Sequence, residues 1–539
     1  MDTVRSAVSN VRIEEFFYAA QVGDAVDVLG AIRDTMALFS IAYAGPWQKT
    51  YRLAELKEHC VLVASSVRLE NSEAVVKISI HFLRSDGECD LLSAHEARPL
   101  PEGSGKNSDG EDITGLSRRL ARLIIHDLMR QLTGVNPGPW GILRGVRPTK
   151  IAHRLLDHGY QRQEIIEKLK VDYALESSKA QLITGIAIHQ RPVIASPDNP
   201  PQDKKVSVYI GVPYCPSRCL YCSFPAFLVP ERREQLDAFL RAITLDIESA
   251  ARLIAKYNLA VESIYVGGGT PTSLEAKDLS ILLQLIKKVF WGVHTRELTV
   301  EAGRPDSIND EKIAVFRQHG INRVSINPQT MQEKTLKQIG RRHTVQDIID
   351  TFGKIRHAAI PVVNMDVIAG LPGETAADME DTMQQLSALK PENITVHTLA
   401  LKRGSLLKES LDAGTLAGQP LPNEETTRDM LAVAAAYTSS LGMQPYYLYR
   451  QKYMTGNLEN VGYAQPGTDC LYNIQIMEER QTIIGIGPAA GTKAVNSVNW
   501  RLQSCYNAKD VATYINNLDI YLSERNTLLS RLYGDSEED

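Results

Sequence analysis

The stretch VYIGVPYCPSRCLYCSFPAF, Val208–Phe227, places three of the chain's seven cysteines within eight residues. Its first part is apolar and β-branched, which is typical of a buried strand. Cys215, Cys219 and Cys222 follow directly, with the spacing C-x3-C-x2-C. In α/β proteins the loop after the carboxyl end of a strand is where ligands and catalytic groups collect. We therefore expect this loop to carry the chemistry of the protein.

Beyond this first strand, short β-branched runs alternate with longer stretches of helical period. Six strands are expected, at VSVYIGV, VESIYVGG, ELTVEA, NRVSIN, PVVNMDVIAG and NITVHTLAL. Between the second and third, one helical face is formed by Leu279, Leu282, Leu283, Ile286 and Phe290. This alternation predicts an α/β fold with a parallel sheet. Six units rather than eight predict a partial (β/α)6 TIM-like barrel, open on one side, with its ligands at the carboxyl ends of the strands.

The chain also divides along its length. The turn-forming segment IASPDNPPQDKK, residues 194–205, predicts a domain boundary. We predict an N-terminal α+β domain of unassigned role over residues 1–200, the barrel core over 201–402, and a mixed C-terminal domain over 403–539. The last part begins with a helix at NEETTRDMLAVAAAYTSSLG, with Asn423 or a neighbouring acidic residue near its start and Gly442 just past its end.

Composition excludes some classes of partner. The net charge is −5 and no long basic run is present, which argues against a nucleic-acid partner. No window approaches about 18 uninterrupted apolar residues, so no membrane span is expected. The first residues lack a basic segment followed by an apolar one, which predicts a cytoplasmic protein. In that reducing compartment clustered thiols indicate metal ligands rather than disulfides. The isolated cysteines are expected to be small buried side chains: Cys60, Cys89, Cys470 and Cys505.

Three thiolates narrow the choice of metal. A structural zinc site needs four protein ligands, and no fourth Cys or His lies near this loop. A [4Fe-4S] cluster can be held by three cysteines, which leaves one iron without a protein ligand. Zinc, or three cysteines packed in a loop, remain the alternatives.

Polar and glycine residues recur at the later strand ends. YVGGGTPT, Tyr265–Thr272, ends the second strand with three glycines, whose amides and carbonyls can approach a ligand closely. A tight turn is the alternative interpretation of this run. Glu301, Gln329 and Asp366 follow at the ends of later strands, where a shared location indicates function rather than capping.

On these motifs the chain resembles the radical S-adenosylmethionine (SAM) enzymes, whose signature is a C-x3-C-x2-C loop after the first strand of a partial TIM barrel. The resemblance implies one [4Fe-4S] cluster whose free iron chelates SAM, and reductive cleavage of SAM to a 5′-deoxyadenosyl radical. The order of YIGVPYCPSRCLYCSFP, GGGTPT, DVIAGLPGET and YNIQIMEERQTIIGIGPAAGTK is similar to the oxygen-independent coproporphyrinogen III oxidases (dehydrogenases). It is closest to their long HemZ-type members and covers residues 205–533.

The resemblance also implies site residues. Cys215, Cys219 and Cys222 would hold the cluster, and two SAM molecules would bind. Tyr209, Glu301 and Ala400 are expected at the cluster-bound SAM. The second SAM or the shared part of the pocket would be lined by Tyr221, Gly268, Gly269, Thr270, Gln329, Arg341 and Asp366. For the two tyrosines, aromatic packing beside a strand is the alternative.

The implied activity is oxidative decarboxylation of two propionates of coproporphyrinogen III to the vinyl groups of protoporphyrinogen IX, a step of heme biosynthesis. Its partners would be the tetrapyrrole, an electron donor such as flavodoxin or ferredoxin, and an electron acceptor. A carboxylated substrate also needs cations, and arginine binds carboxylates through two parallel hydrogen bonds. The candidates are Arg304, Arg323, Arg341 and Arg342.

The sequence departs from the pattern of these enzymes in two places, so alternative functions stay open. Phe224 stands where some decarboxylating members have a fourth cysteine, and heme-chaperone relatives lack that cysteine too. Those chaperones share an HNxxYW segment whose histidine is linked to heme binding. The corresponding TDCLYN, residues 468–473, keeps Tyr472 but has neither the His nor the Trp. A porphyrinogen enzyme is therefore favoured over a heme chaperone, a radical SAM enzyme for another tetrapyrrole, or a cluster with only a structural or electron-transfer role.

Overall fold

The computed structural model describes residues 15–20, 26–39, 60–70, 73–83, 89–99, 111–197, 204–224, 226–402, 404–414, 420–451 and 454–534. The chain forms two compact units, Met1–Gly185 and Ile186–Asp539. The division into three domains stays a prediction. Residues 198–203, at the expected first boundary, lie outside the described residues.

The first unit has an α+β architecture. Its sheet has the order β1-β2-β3-β4, in which β1 is parallel to β2 and the other pairs are antiparallel; the strands are β1 Glu15–Ala20, β2 Cys60–Glu70, β3 Glu73–Leu83 and β4 Cys89–Pro99. The helices are α1 Leu29–Met36, α2 Ile113–Thr133, α3 Thr149–Asp157, α4 Arg162–Tyr173 and α5 Ser177–Gln190, the last of which continues into the second unit. Alternate residues of β3, such as Val76 and Ile78, pack with Leu120 and Ile124 of α2 in one core.

The second unit contains an eleven-stranded sheet and a short two-stranded one. Its strands are β5 Lys205–Val212, β6 Tyr214–Cys215, β7 Phe227–Leu228, β8 Ala260–Gly268, β9 Glu297–Glu301, β10 Arg323–Ser325, β11 Val362–Ala369, β12 Asn393–Thr398, β13 Gln444–Tyr449, β14 Asn460–Ala464, β15 Thr482–Ile486, β16 Gly491–Val495 and β17 Leu502–Tyr506. The large sheet has the order β13-β14-β12-β11-β10-β9-β8-β5-β15-β16-β17, and β6 pairs with β7.

Helices lie between these strands and after the last of them. They are α6 Arg233–Lys256, α7 Ala276–Phe290, α8 Asp310–His319, α9 Glu333–Gln338, α10 Val345–His357, α11 Ala376–Leu389, α12 Leu406–Asp412, α13 Glu424–Ser440, α14 Leu471–Glu478, α15 Val511–Asn516 and α16 Leu518–Tyr533. The helix α13 begins where the sequence predicts, because the Asn423 side chain accepts a hydrogen bond from the Thr426 amide at 2.8 Å. In the part of the chain that the structure describes, none of the helices combines the length and apolar character needed to cross a membrane.

The six expected strands and their order are confirmed. The strands β5, β8, β9, β10, β11 and β12 are parallel neighbours in chain order, joined by helices, as successive βα units require. The predicted apolar face of α7 is buried in full, because all of its five members lie in the core: Leu279, Leu282, Leu283, Ile286 and Phe290. The expected fold, an incomplete α/β barrel, is therefore the observed one.

The C-terminal residues extend the same sheet on both sides. The strand β15 adds a parallel neighbour to β5, and β14 pairs antiparallel with β12. The sheet therefore brings the carboxyl ends of β5 and β8–β12 to one edge, where the loop containing the cysteines begins.

Candidate active site

A cavity of about 390 Å³ lies at the carboxyl ends of the parallel strands. This volume is within the range of about 300–1,000 Å³ that is typical of small-molecule sites. The three clustered cysteines and every residue that the resemblance implies at SAM line it. The residues selected from the sequence therefore lie together at one cavity, and the role of each of them stays a prediction.

The three cysteines approach this cavity from a single loop. Cys215 ends β6 and its sulfur lies 3.4 Å from the Thr270 hydroxyl, while the Cys222 amide donates to the Cys219 carbonyl at 3.2 Å. Burial raises the pKa of Cys215 to about 11 and also raises the pKa of Cys222. Buried thiols of this kind ionise only when a nearby cation compensates the charge, as a bound metal does.

This donor set fits an iron–sulfur cluster in its chemistry. Three thiols on one loop face the same cavity, and thiolates are the usual ligands of such clusters. Among the described residues no three His, Cys, Asp or Glu side chains already stand close enough to hold a metal ion. The fit therefore rests on the kind of ligand and the shared cavity, rather than on sulfur positions that already match a cluster.

The glycines of GGGTPT bring the end of β8 against the cysteine loop. The Gly269 amide donates to the Val212 carbonyl at 2.8 Å, and the Thr270 amide donates to the Tyr214 carbonyl at 2.6 Å. A Cβ atom on Gly269 would lie 2.6 Å from that Tyr214 oxygen, so a side chain has no room there. The amides of Gly269 and Thr270 are thus used within the protein, and so is that of Gly268, which donates to Glu301 at 3.2 Å, so contact of this segment with a ligand stays a prediction that rests on its carbonyls and its place on the cavity wall.

Glu301 ends β9 as a carboxyl group with an unusual pKa. The Tyr265 hydroxyl donates to its Oε1 at 2.6 Å. Burial, the largest influence, raises the pKa of Glu301 to about 7, although the hydrogen bonds from Tyr265 and Gly268 act in the opposite direction. A carboxyl group that changes charge near neutral pH at a cavity wall is a candidate partner for a ligand's ammonium group.

Tyrosine rings form the wall beside this carboxyl group. The rings of Tyr209, Tyr265 and Tyr472 stack on one another. Their centroids are 6.3 Å apart for Tyr209 and Tyr265, 5.8 Å for Tyr209 and Tyr472, and 4.5 Å for Tyr265 and Tyr472. Tyr209 therefore packs among aromatic rings and also lines the cavity, and its contact with SAM stays a prediction. Tyr221 lines another part of the same cavity wall, and its hydroxyl accepts a hydrogen bond from Arg341 at 3.2 Å.

Two buried polar atoms on the cavity wall have no hydrogen-bond partner within the described chain. They are Oε1 of Gln329 and Nε of Arg341, whose residues are 7% and 6% exposed. Gln329 has φ of 70°, the left-handed region that a residue with a side chain rarely adopts. Its amide and carbonyl hold it there by pairing with Asp366 and Ile368 of β11. An unpaired acceptor and an unpaired donor at one wall are what a polar ligand would satisfy.

Several lining residues were missed by the sequence analysis. His397 on β12 is hydrogen-bonded to the Tyr449 hydroxyl through Nδ1 at 3.1 Å, and its Nε2 lies 3.6 Å from Oδ2 of Asp366. Asn364 donates to the other Asp366 oxygen at 2.7 Å. The signal that could have found His397 is its place on a strand next to Ala400, since a polar residue near the carboxyl end of a barrel strand indicates the catalytic face.

The four arginines that were candidates for binding substrate carboxylates have different surroundings. Arg323 lies outside this cavity and pairs with Glu297 at 3.4 Å, so the prediction is wrong for this residue. Arg304 pairs with Asp306, and Arg341 donates to backbone carbonyls. Arg342 lines a neighbouring cavity instead.

The segment aligned with the heme-chaperone motif is fixed inside the protein. The Cys470 thiol donates to Glu297 at 3.2 Å, and Asp469 pairs with His189 at 2.7 Å. Cys470 is thus buried, as expected for an isolated cysteine, while Cys505 is only half-buried. The side chains of Cys60 and Cys89 lie outside the described residues.

Comparison with known proteins identifies the family of this chain. The family model of the radical SAM superfamily matches residues 209–386. The oxygen-independent coproporphyrinogen-III oxidase-like protein HemZ of Bacillus subtilis is 39% identical over 408 residues, 76% of this chain and 80% of the relative. The heme chaperone HemW of the same organism is 27% identical over 54% of this chain and 73% of its own length. Among solved structures, coproporphyrinogen III oxidase HemN of Escherichia coli aligns with a TM-score of 0.47 and 20% identity, over 62% of this chain and 72% of that one.

The superfamily signature is the C-x3-C-x2-C loop, and it lies within the matched residues. The similarity to HemZ covers 408 residues and so extends beyond the residues that the superfamily model matches. The chain belongs to the radical SAM superfamily and, within it, to the family of oxygen-independent coproporphyrinogen-III oxidase-like proteins.

Proposed function

We propose that this protein is a radical SAM oxidoreductase that decarboxylates two propionate side chains of coproporphyrinogen III to the vinyl groups of protoporphyrinogen IX. One observation carries the proposal: a single cavity collects three cysteine sulfurs, the Glu301 carboxyl group and the unpaired polar atoms of Gln329 and Arg341. The choice of substrate follows the name of the B. subtilis relative.

In this proposal each wall of the cavity has a task. Cys215, Cys219 and Cys222 hold one [4Fe-4S] cluster. Cluster and SAM, when bound, supply a strongly reactive hydrogen-atom acceptor. Glu301 pairs with the ammonium group of the cluster-bound SAM, beside Tyr209 and Ala400. A second SAM is bound by the other predicted contacts, which are Tyr221, Gly268, Gly269, Thr270, Gln329, Arg341 and Asp366.

Conversion of each propionate to a vinyl group removes one hydrogen atom, one electron and one molecule of carbon dioxide from the substrate. Each propionate gives one hydrogen atom from its β-carbon to the acceptor and one electron to an external electron acceptor. The bond to the carboxylate carbon breaks, carbon dioxide leaves, and a vinyl group remains. Each round also consumes one electron from a donor such as flavodoxin or ferredoxin. The chain contributes orientation and exclusion of water, which protect so reactive a species.

Two cations other than the expected arginines are candidates for binding the substrate carboxylates. Lys402 and Arg218 both line the cavity, and the Lys402 ammonium lies 5.7 Å from the centre of the Phe224 ring. Phe224 is 64% exposed, so Phe224 and Lys402 lie where the cavity meets solvent. A tetrapyrrole with several carboxylates would place one of them there while another part of the molecule lies deeper.

A heme-chaperone function is the second candidate. It is favoured by the similarity to HemW and by Phe224 in place of a fourth cysteine. It is weakened by Thr468 at the position of the heme-binding histidine. Among the described residues that line the cavity, His397 is the only one with an imidazole group.

An anaerobic product assay separates the candidates. Reconstituted, reduced protein is incubated with SAM and coproporphyrinogen III, and methionine, 5′-deoxyadenosine and carbon dioxide are measured. We expect all three products together, and none from Cys219→Ala, which removes one of three thiolate ligands. Cys505→Ala is the matched control, because that cysteine lies on β17, away from the cavity, and should leave turnover unchanged. Stoichiometric heme capture without turnover would support the chaperone, and unchanged SAM affinity in Cys219→Ala would indicate a cluster with only a structural role.

A further inference from the structure

Arg304 contacts a cysteine of the candidate cluster site directly. Its Nη1 donates to the Cys219 sulfur at 3.3 Å, and its side chain is only 3% exposed. Arg304 follows β9, and the next residues form a 3₁₀ turn, Pro305–Ser307. This arginine is therefore a buried cation placed against one of three sulfurs, rather than a group that awaits a substrate.

All five N–H donors of the Arg304 guanidinium have a partner. Nε and Nη2 donate to the two Asp306 oxygens at 3.1 and 3.0 Å. Nη2 also donates to the Ser217 hydroxyl at 2.8 Å, and Nη1 to the Ser217 carbonyl at 3.3 Å. The fifth donor is the one that reaches Cys219. With no donor left over, Arg304 has one well-defined position, and the planar guanidinium fixes the loop between Cys215 and Cys219.

The turn that carries Arg304 and Asp306 is itself fixed. Lys312 donates to the Thr272 and Ser307 carbonyls at 2.6 and 2.9 Å, and the hydroxyls of Thr272 and Ser307 are 2.6 Å apart. The turn is thus tied to the GGGTPT segment, which contacts the cysteine loop on its other side. His343, fully buried, lies behind Asp306 with Nδ1 3.6 Å from Oδ1.

We propose that Arg304 is a positioning residue that sets the reduction potential of the cluster through Cys219. Hydrogen bonds to cluster sulfurs and the net charge nearby are among the factors that set such potentials. A cation that donates to a sulfur stabilises the more negative, reduced cluster, so Arg304 raises the potential. Asp306 holds the cation in place and partly neutralises it. The proposal rests on the cluster that the family implies, and not on the identity of the substrate.

The test is a redox titration of the reconstituted cluster, followed by electron paramagnetic resonance without SAM or substrate. In Arg304→Gln we expect the reduced-to-oxidised ratio at a fixed potential to fall about tenfold, which for one electron is a shift of about 59 mV to more negative values. Asp306→Asn removes the neutralising charge and should shift the midpoint in the opposite direction. Arg317→Gln is the matched control, since Arg317 is exposed on α8 and should leave the midpoint unchanged.

Opposite signs are the result that a merely structural role cannot give, because a loosened loop would admit water in both variants and shift both midpoints alike. Shifts of the same sign, or an unchanged midpoint in Arg304→Gln, would overturn the proposal. If Arg304→Gln assembles no cluster, the midpoint potential of Asp306→Asn decides the test. A midpoint in that variant that does not rise above the native value overturns the proposal. Failure of both variants to assemble a cluster overturns it as well. Since neither SAM nor porphyrinogen is present, these results are independent of the decarboxylation assay.

Discussion

SAM affinity should depend on pH through Glu301. The pKa of this carboxyl is raised from 4.5 to about 7, chiefly by burial, which corresponds to roughly 3 kcal/mol against the carboxylate. The ligand-free fold therefore keeps a proton that the unfolded chain loses, and the stabilising contribution of Glu301 falls as pH rises from about 4.5 to 7. Binding of an ammonium group requires the opposite form, the carboxylate.

The size of the effect follows from the ionised fraction. With a pKa of about 7, about a tenth of Glu301 is ionised at pH 6 and about three quarters at pH 7.5. SAM affinity should therefore rise about eightfold over this interval in the native protein. Glu301→Gln cannot ionise, and the ratio of the two affinities cancels any titration of SAM itself.

The assay is equilibrium calorimetry of SAM binding to the cluster-containing proteins between pH 6 and pH 8. Tyr265→Phe sharpens it, because loss of the hydroxyl that donates to Glu301 raises the pKa of the carboxyl further and should move the rise in affinity to higher pH. If the pH profiles of SAM affinity are parallel for the native protein and Glu301→Gln, Glu301 does not bind the ammonium group.

Three further predictions concern other parts of the site. Arg341→Ala should weaken SAM binding or turnover while the visible absorption of the cluster stays intact, and unchanged kinetics would remove it from the second SAM site. Lys402→Met keeps an unbranched side chain of similar length without the charge, and should raise KM for coproporphyrinogen III about tenfold, or about 1.4 kcal/mol, without changing SAM affinity; an unchanged KM would contradict a carboxylate contact. Gly269→Ala should destabilise the protein by about 1–3 kcal/mol in urea denaturation, because the new Cβ would meet the Tyr214 carbonyl. Gly353→Ala, in α10 with nothing within 4 Å, should instead be neutral or slightly stabilising, and equal effects would contradict the steric argument.

The sequence predicted the barrel because its signals are local. The five apolar residues of α7 recur at helical spacing, and each of the six strands is a short segment that contains β-branched residues, so local patterns identify them. The position of β15 beside β5 was not predicted, because more than 200 residues separate the two strands and no local pattern fixes their pairing.

The site was predicted in part for the same reason. The spacing of the cysteines and the ends of the strands placed Glu301 and Asp366 correctly at the cavity. The sequence did not show which polar side chains use their hydrogen-bond donors inside the protein. Arg304 was grouped with possible substrate anchors, whereas in the fold its donors are used by Asp306, Ser217 and Cys219. Such a role depends on a contact across 85 residues of chain, which only the folded structure reveals.

The radical SAM family implies that the three cysteines of this chain hold a cluster with one iron left open for SAM. Electron paramagnetic resonance of the anaerobically reduced protein, recorded before and after addition of SAM, tests it directly. We expect the signal of a four-iron cluster that changes when SAM is added, because SAM coordinates the open iron. A cluster signal that SAM leaves unaltered, or protein that binds zinc in place of iron, would show that the three cysteines do not hold a cluster with an open iron.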